Sequence, residues 1–134
     1  MLDKEARLQA GKFGLILVEG YFDVAKLVEA DCRNVGALMG SSISAEQIER
    51  IAWIRSRLGL PYILLFLDRD RAGQEAAGKV QERLGHHSLA VTVFDWDQKV
   101  SGNGKTAKLI PESIQDPADM LVDQLRALRR QGII

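Results

Sequence analysis

The chain of 134 residues has one cysteine, three prolines, few aromatics (6%) and no net charge. Each shortage excludes something. Cys32 alone cannot form an intramolecular disulfide, which fits a reducing compartment. Cys32 and the adjacent His86 and His87 fall short of the ligands a structural zinc site needs. Lys and Arg number 18, as do Asp and Glu, so no global field draws the chain to nucleic acid. Binding of that kind must rest on a local patch or a bound cation. No apolar run approaches the roughly 20 residues of a membrane-spanning helix. The opening MLDKEARLQAGKFG is charged and lacks the apolar core of a signal peptide. A cytoplasmic protein with no membrane partner is expected.

What is present is the ordinary material of one globular domain, 46% apolar and 27% charged. Four short runs rich in branched residues, at Leu15–Val18, Val35–Met39, Tyr62–Leu67 and Leu89–Phe94, read as strands. None alternates cleanly, which is the pattern of strands buried on both faces. Helical patterns lie between them. Phe22–Ala30 aligns Val24, Leu27 and Val28; Ala45–Leu58 aligns Ile48, Ile51, Ala52 and Ile54 behind a Ser44/Gln47 capping box. Ala72–Leu84 carries Ala76, Ala77, Val80 and Leu84 and stops at Gly85; a last helix over Ala118–Arg130 carries Met120, Leu121, Leu125 and Leu128. Such alternation predicts an α/β, Rossmann-like fold with about four mainly parallel strands flanked by helices. Residues 1–14 read as an N-terminal segment or linker and 15–134 as the domain. Asp95–Asp116 reads as a long irregular loop, a length usually reserved for function.

Open parallel sheets bind ligands beyond the carboxyl ends of their strands. Two strands here run into acids. LVEGYFD ends the first with Glu19, then Gly20, with Asp23 four residues on; LFLDRDRAG ends the third with Asp68 and Asp70. In a 2-1-3-4 strand order these two strands are neighbours, and Glu19, Asp68 and Asp70 converge. Such a cluster is costly unless neutralised. Hard carboxylate oxygens select Mg²⁺ or Mn²⁺.

LILVEGYFDVAKLVEA, VGALMGSSISAEQI and LLFLDRDRAGQEAA together resemble successive motifs of the Toprim domain, in the version of bacterial replicative primases. The resemblance covers about Leu15 to Val122. In that family a Glu-Gly ends the first strand, a D-x-D followed by Ala-Gly ends the third, and a D-P segment comes later. Here these are Glu19-Gly20, Asp68-Arg69-Asp70 with Ala72-Gly73, and Asp116-Pro117. Two positions depart from it: Arg69 stands where glycine is usual, and Ala118 where a third acid is usual. Asp119 replaces that acid only if its side chain does not instead open the last helix.

The resemblance implies phosphoryl-transfer chemistry on a Mg²⁺ or Mn²⁺ ion held by Glu19, Asp68 and Asp70, with Asp23 and Asp116 as auxiliary or water-mediated ligands. Glu19 is either a ligand or a general acid/base. Arg69, Arg71 and Lys105 are candidates for holding phosphate. The implied function is RNA primer synthesis on a DNA template by a primase-type nucleotidyltransferase. Its partners are nucleic acid, nucleotides and other primase domains or replication proteins. A stand-alone nuclease and a non-catalytic DNA-binding or assembly module are the alternatives. Replicative primases also carry a zinc-binding domain and a further lobe. Neither lies within these 134 residues, which leaves an excised domain and a small stand-alone protein both open. A domain tested alone is expected to be weakly active or inactive.

SGNGKT at 101–106 imitates a phosphate-binding loop, but Lys99 occupies the position of the required first glycine. It reads as a flexible loop in which Lys99, Lys105 and Lys108 can meet a phosphate backbone. Trp53 reads as core, Trp96 as partly exposed packing, and Cys32 as a small buried residue.

Overall fold

Leu15 to Val18 is buried at every position, and that continuous burial places the first strand in the middle of the sheet. The computed structural model describes residues 3–134. In order they form α1 (Lys4–Phe13), β1 (Leu15–Val18), α2 (Tyr21–Glu29), β2 (Val35–Ala37), α3 (Ala45–Leu58), β3 (Ile63–Leu65), α4 (Arg71–Gly85) and β4 (Val91–Val93). A hairpin of β5 (Lys99–Gly102) and β6 (Lys105–Lys108), a 3-10 turn at Pro117–Asp119 and α5 (Val122–Arg130) follow. The main sheet is parallel, in the order β2-β1-β3-β4. Residues Leu15, Ile16 and Leu17 pair with Ile63, Leu64 and Leu65. That register sets the ends of β1 and β3 side by side, the adjacency that a 2-1-3-4 order provides.

Successive side chains of each strand enter two different cores. Leu15, Leu17, Ile63 and Leu65 pack with Ile48 and Ile51 of α3 and Ala76, Val80 and Leu84 of α4. Ile16, Val18, Leu64 and Phe66 pack with Leu27 of α2, Leu125 and Leu128 of α5, and Phe94 and Trp96. This double-sided burial is why no strand shows polar alternation. Ser44 and Gln47 form the predicted capping box, with bonds of 3.1 and 2.8 Å. Asp3 caps α1 through the Ala6 N–H at 2.8 Å, and Ala10 of that helix joins the first core. Met1 and Leu2 lie outside the described residues.

Four expectations change. The stretch from Asp95 to Asp116 is not wholly irregular: β5 and β6 pair around Asn103-Gly104, both at positive φ (50° and 73°). Asn-Gly between two pairing segments is the usual chemistry of a two-residue hairpin turn. Trp53 is not core but about half exposed, with the Arg57 guanidinium 5.4 Å from its ring centroid. Trp96 is the buried tryptophan, packed against Phe66 and Phe94. The last helix begins only at Val122, and Leu121 before it is exposed. Cys32 is buried, as expected. Among the described residues, no helix is long and apolar enough to cross a membrane.

Candidate metal centre at the carboxyl edge of the sheet

Beyond β1 the chain turns at Gly20, which caps α2 in an extended conformation. Asp23, in the first turn of α2, is buried. Its Oδ2 accepts from the Gly20 N–H at 3.2 Å, and its Oδ1 accepts from the Ala118 N–H at 3.1 Å. One carboxylate thus closes the start of α2 and ties it to the 3-10 turn 95 residues away. Asp116 caps that turn, its Oδ1 accepting from the Asp119 N–H at 2.8 Å.

Beyond β3 the chain reaches Asp68. Its N–H donates to Glu19 Oε1 at 3.3 Å, across the gap between the two strand ends. Its carbonyl accepts from Gln74 Nε2 at 2.9 Å. Asp70 Oδ1 accepts from the Gly73 N–H at 2.7 Å and so caps α4. Gly73 has no room for a side chain: a Cβ there would stand 2.2 Å from the Asp68 carbonyl oxygen. The Ala-Gly after the two aspartates lets the first turn of α4 press against the backbone that carries Asp68.

The result is a carboxylate cluster. Oxygens of Asp23, Asp68 and Asp116 all lie within 4.8 Å of one another, a spacing that suits a metal ion. Glu19 and Asp70 flank this trio without belonging to it. Asp119 is turned away, its Oδ2 accepting from the Gln115 N–H at 3.0 Å. The Asp68 carboxyl is pushed up to about 7, first by burial and then by the charges of Glu19, Asp23, Asp116 and Asp70. Burial also raises Asp23, against the two backbone N–H groups it accepts from. The strongest influences on Asp68 are thus desolvation and like charge, the state a bound cation relieves. The donor set is all oxygen, the chemistry of a hard divalent ion. The N-termini of α2 and α4 open at the same edge, and their partial positive charge offsets some of the repulsion.

The candidate phosphate ligands are placed differently from one another. Arg71 is almost fully exposed and ion-paired with Glu75 at 2.8 Å. Lys105 lies on the exposed hairpin. Arg69 is nearly buried, and its guanidinium is already occupied by protein: it donates to the Pro111, Ile114 and Trp96 carbonyls and to Asp97 Oδ1. Gln74 and the Ala118 amide, which also bond the residues of this edge, are not legible in the sequence, because neither residue type carries a signal of its own.

A family model described as Toprim domain matches residues 14–95. The chain belongs to the Toprim domain family. Over 92 residues it is 39% identical to a DNA primase of Mycoplasma pneumoniae, a match spanning 69% of this chain and 14% of that protein. A DNA primase of Lactococcus lactis is 26% identical over 132 residues, covering 93% of this chain and 20% of the relative. The crystal structure of the Aquifex aeolicus primase, comprising zinc-binding and RNA polymerase domains, shares the fold with a TM-score of 0.67 at 23% identity. That match covers 96% of this chain and 27% of the other. This Toprim domain therefore corresponds to a fifth or less of the two primases aligned by sequence.

Proposed function

We propose that this domain is the metal-dependent catalytic part of a primase-type nucleotidyltransferase, one that makes RNA primers on a DNA template. The observation that carries the reading is the approach of Asp23, Asp68 and Asp116 to within 4.8 Å at the edge where β1 and β3 end side by side. The similarity to bacterial DNA primases over the same residues supports it.

In this reading Asp68 and Asp116 hold a Mg²⁺ or Mn²⁺ ion with Asp23 behind them, and Glu19 and Asp70 line its rim. The bound ion supplies neutralisation of phosphate charge and alignment of the attacking and leaving oxygens. Asp68 releases its proton when the cluster is filled. Glu19 keeps the Asp68 backbone in place through the N–H it accepts, while its second oxygen is available for a water or a proton. Arg71 is placed to meet a phosphate only by giving up Glu75. Template and nucleotide positioning belong to other parts of a primase.

The test is Mn²⁺ titration followed by primer synthesis. Paramagnetic broadening is expected first at the amides of Gly20, Asp68 and Ala118; broadening confined to the hairpin at 99–108 overturns the reading. Isolated binding should be weak, because Mg²⁺ keeps several waters and relies on substrate phosphates. With the remaining primase domains supplied in the same chain or in trans, Glu19→Gln and Asp68→Asn are expected to abolish primer synthesis. Metal-dependent cleavage by the domain alone, lost in Glu19→Gln, would point to a nuclease. Partner binding that survives both substitutions, without activity, would point to an assembly module.

A further inference from the structure

Arg69 sits between the two aspartates, yet its side chain turns away from them. One nitrogen, Nη1, donates to the Pro111 carbonyl at 2.6 Å and the Ile114 carbonyl at 3.2 Å. The other, Nη2, donates to the Trp96 carbonyl at 3.2 Å and to Asp97 Oδ1 at 3.1 Å. The backbone N–H of the same residue donates to the Gln115 carbonyl at 2.6 Å. Its guanidinium lies 5.7 Å from the centroid of the Trp96 ring, and Trp96 Nε1 donates to the Leu67 carbonyl at 2.9 Å. Both ends of the excursion from Trp96 to Gln115 are therefore clamped onto Leu67–Arg69, the segment that delivers Asp68.

Gln115 is the residue before Asp116. Two carboxylates gain nothing from proximity once both are ionised, as metal binding requires, so other bonds must hold Asp116 beside Asp68. On its far side Asp116 is tied by Ala118 to Asp23. On its near side the anchor is Arg69. A planar fork of donors reaches carbonyls at both ends of the excursion at once; a lysine ammonium is a compact point charge without that spread.

We infer that Arg69 is a positioning residue that sets Asp116 against Asp68, coupling the segment that carries the β5–β6 hairpin to the metal centre. The consequence for metal binding rests on the function proposed above; the placement of Asp116 does not. Charge alone is the competing account, and Arg69→Lys separates the two because it keeps the charge and loses the fork.

The first arm needs no metal. In amide spectra, Arg69→Lys and Arg69→Gln are expected to move the signals of Ile114 to Ala118 while those of Leu15–Val18 and Leu27 stay. The exposed partner change Asp97→Asn, which loosens the same guanidinium and leaves the core untouched, should move the same signals less far in the same direction. Unmoved signals in this set overturn the inference, as does a wild-type-like spectrum for Arg69→Lys beside a shifted one for Arg69→Gln.

The second arm is a double-mutant cycle on Mn²⁺ affinity. Arg69→Lys should weaken binding roughly tenfold, the usual scale for losing a residue that orients a ligand. In an Asp116→Asn background it should cost less than about twofold, because the residue it acts through is gone. Equal losses in both backgrounds overturn the inference. If the wild-type domain binds no Mn²⁺ at all, the metal reading fails, and the metal-free spectra still decide whether Arg69 places Asp116.

Discussion

The Asp23 carboxylate and the Ala118 N–H meet at 3.1 Å although 95 residues separate them. This bond, with the Gly20 N–H on the other oxygen, fastens α2 to the turn that carries Asp116. Asp23→Ala leaves two partly buried backbone donors without acceptors. It is expected to cost about 2–4 kcal/mol, from roughly 1–3 kcal/mol for each unsatisfied group with partial relief by water. Asp23→Asn keeps one acceptor oxygen but sets its amide NH2 against the other backbone donor, so it should cost at least about half as much. Urea melts of both variants without metal check this.

The pH dependence of the metal-free fold follows from Asp68. Its carboxyl titrates near 3.8 in the unfolded chain and at about 7 in the folded one. Below the lower value both states are protonated and nothing is lost. Between the two the folded state binds the proton more tightly, so stability falls as pH rises from about 4 to about 7 and levels off above. Asp23 is shifted in the same direction. Asp68→Asn should therefore flatten the pH profile and raise the metal-free melting temperature at pH 8. Thermal melts from pH 4.5 to 8 test it, and a large loss of stability in Asp68→Asn would show that Asp68 serves the fold instead. Mn²⁺ binding, which displaces that proton, should strengthen up to about pH 7 and then level off.

Two glycines of α4 make a matched pair. A Cβ on Gly73 would stand 2.2 Å from the Asp68 carbonyl oxygen and 2.8 Å from its carbon, whereas one on Gly78 meets nothing within 4 Å. Gly73→Ala must displace backbone, and a loss of about 3 kcal/mol or more is expected, at or beyond the upper end for overpacking. Gly78→Ala, in an exposed helix interior, should stabilise by about 0.5–1 kcal/mol. Gly73→Ala should also weaken Mn²⁺ binding, since it moves Asp68, and Gly78→Ala should not.

The two tryptophans are expected to behave oppositely. Trp96→Phe orphans the Leu67 carbonyl and removes the surface under the Arg69 guanidinium, at a cost of about 1–3 kcal/mol. Trp53→Phe changes an exposed side chain and should stay within about 0.5 kcal/mol. Fluorescence assigns them: quenching by acrylamide should vanish largely with Trp53 and persist in Trp96→Phe.

Trp53 and Trp96 also show where sequence reading fails. Trp53 sits at a helical spacing close to Ile51 and Ile54, yet the apolar stripe of α3 is narrow and leaves it outside. Trp96 follows the end of β4 in a polar stretch, FDWDQ, and nothing local says that it folds back over Phe66 and Phe94. The segment 99–108 reads as a loop because its strands are exposed throughout and carry no hydrophobic pattern; Asn103-Gly104 is the one local feature that belongs to a hairpin turn.

The sequence by itself determined the order of strands and helices, the burial of the sheet on both faces, and the placing of Glu19, Asp68 and Asp70 where strands end. These are local properties: apolar content, periodicity and capping residues act over a few positions and can be read in place. Only the tertiary structure decided that Asp23 and Asp116 gather with Asp68 into one cluster within 4.8 Å, with Glu19 and Asp70 outside it, and that Arg69 faces the segment around the hairpin instead of solvent. Asp116 reaches the cluster across the 20-residue excursion from Trp96 to Gln115, and the residues on either side of it bond to Arg69 and Asp23 in ways that no spacing rule encodes. Convergence of that kind is set by packing and by the pairing of particular donors with particular carbonyls, which exist only once the chain has folded.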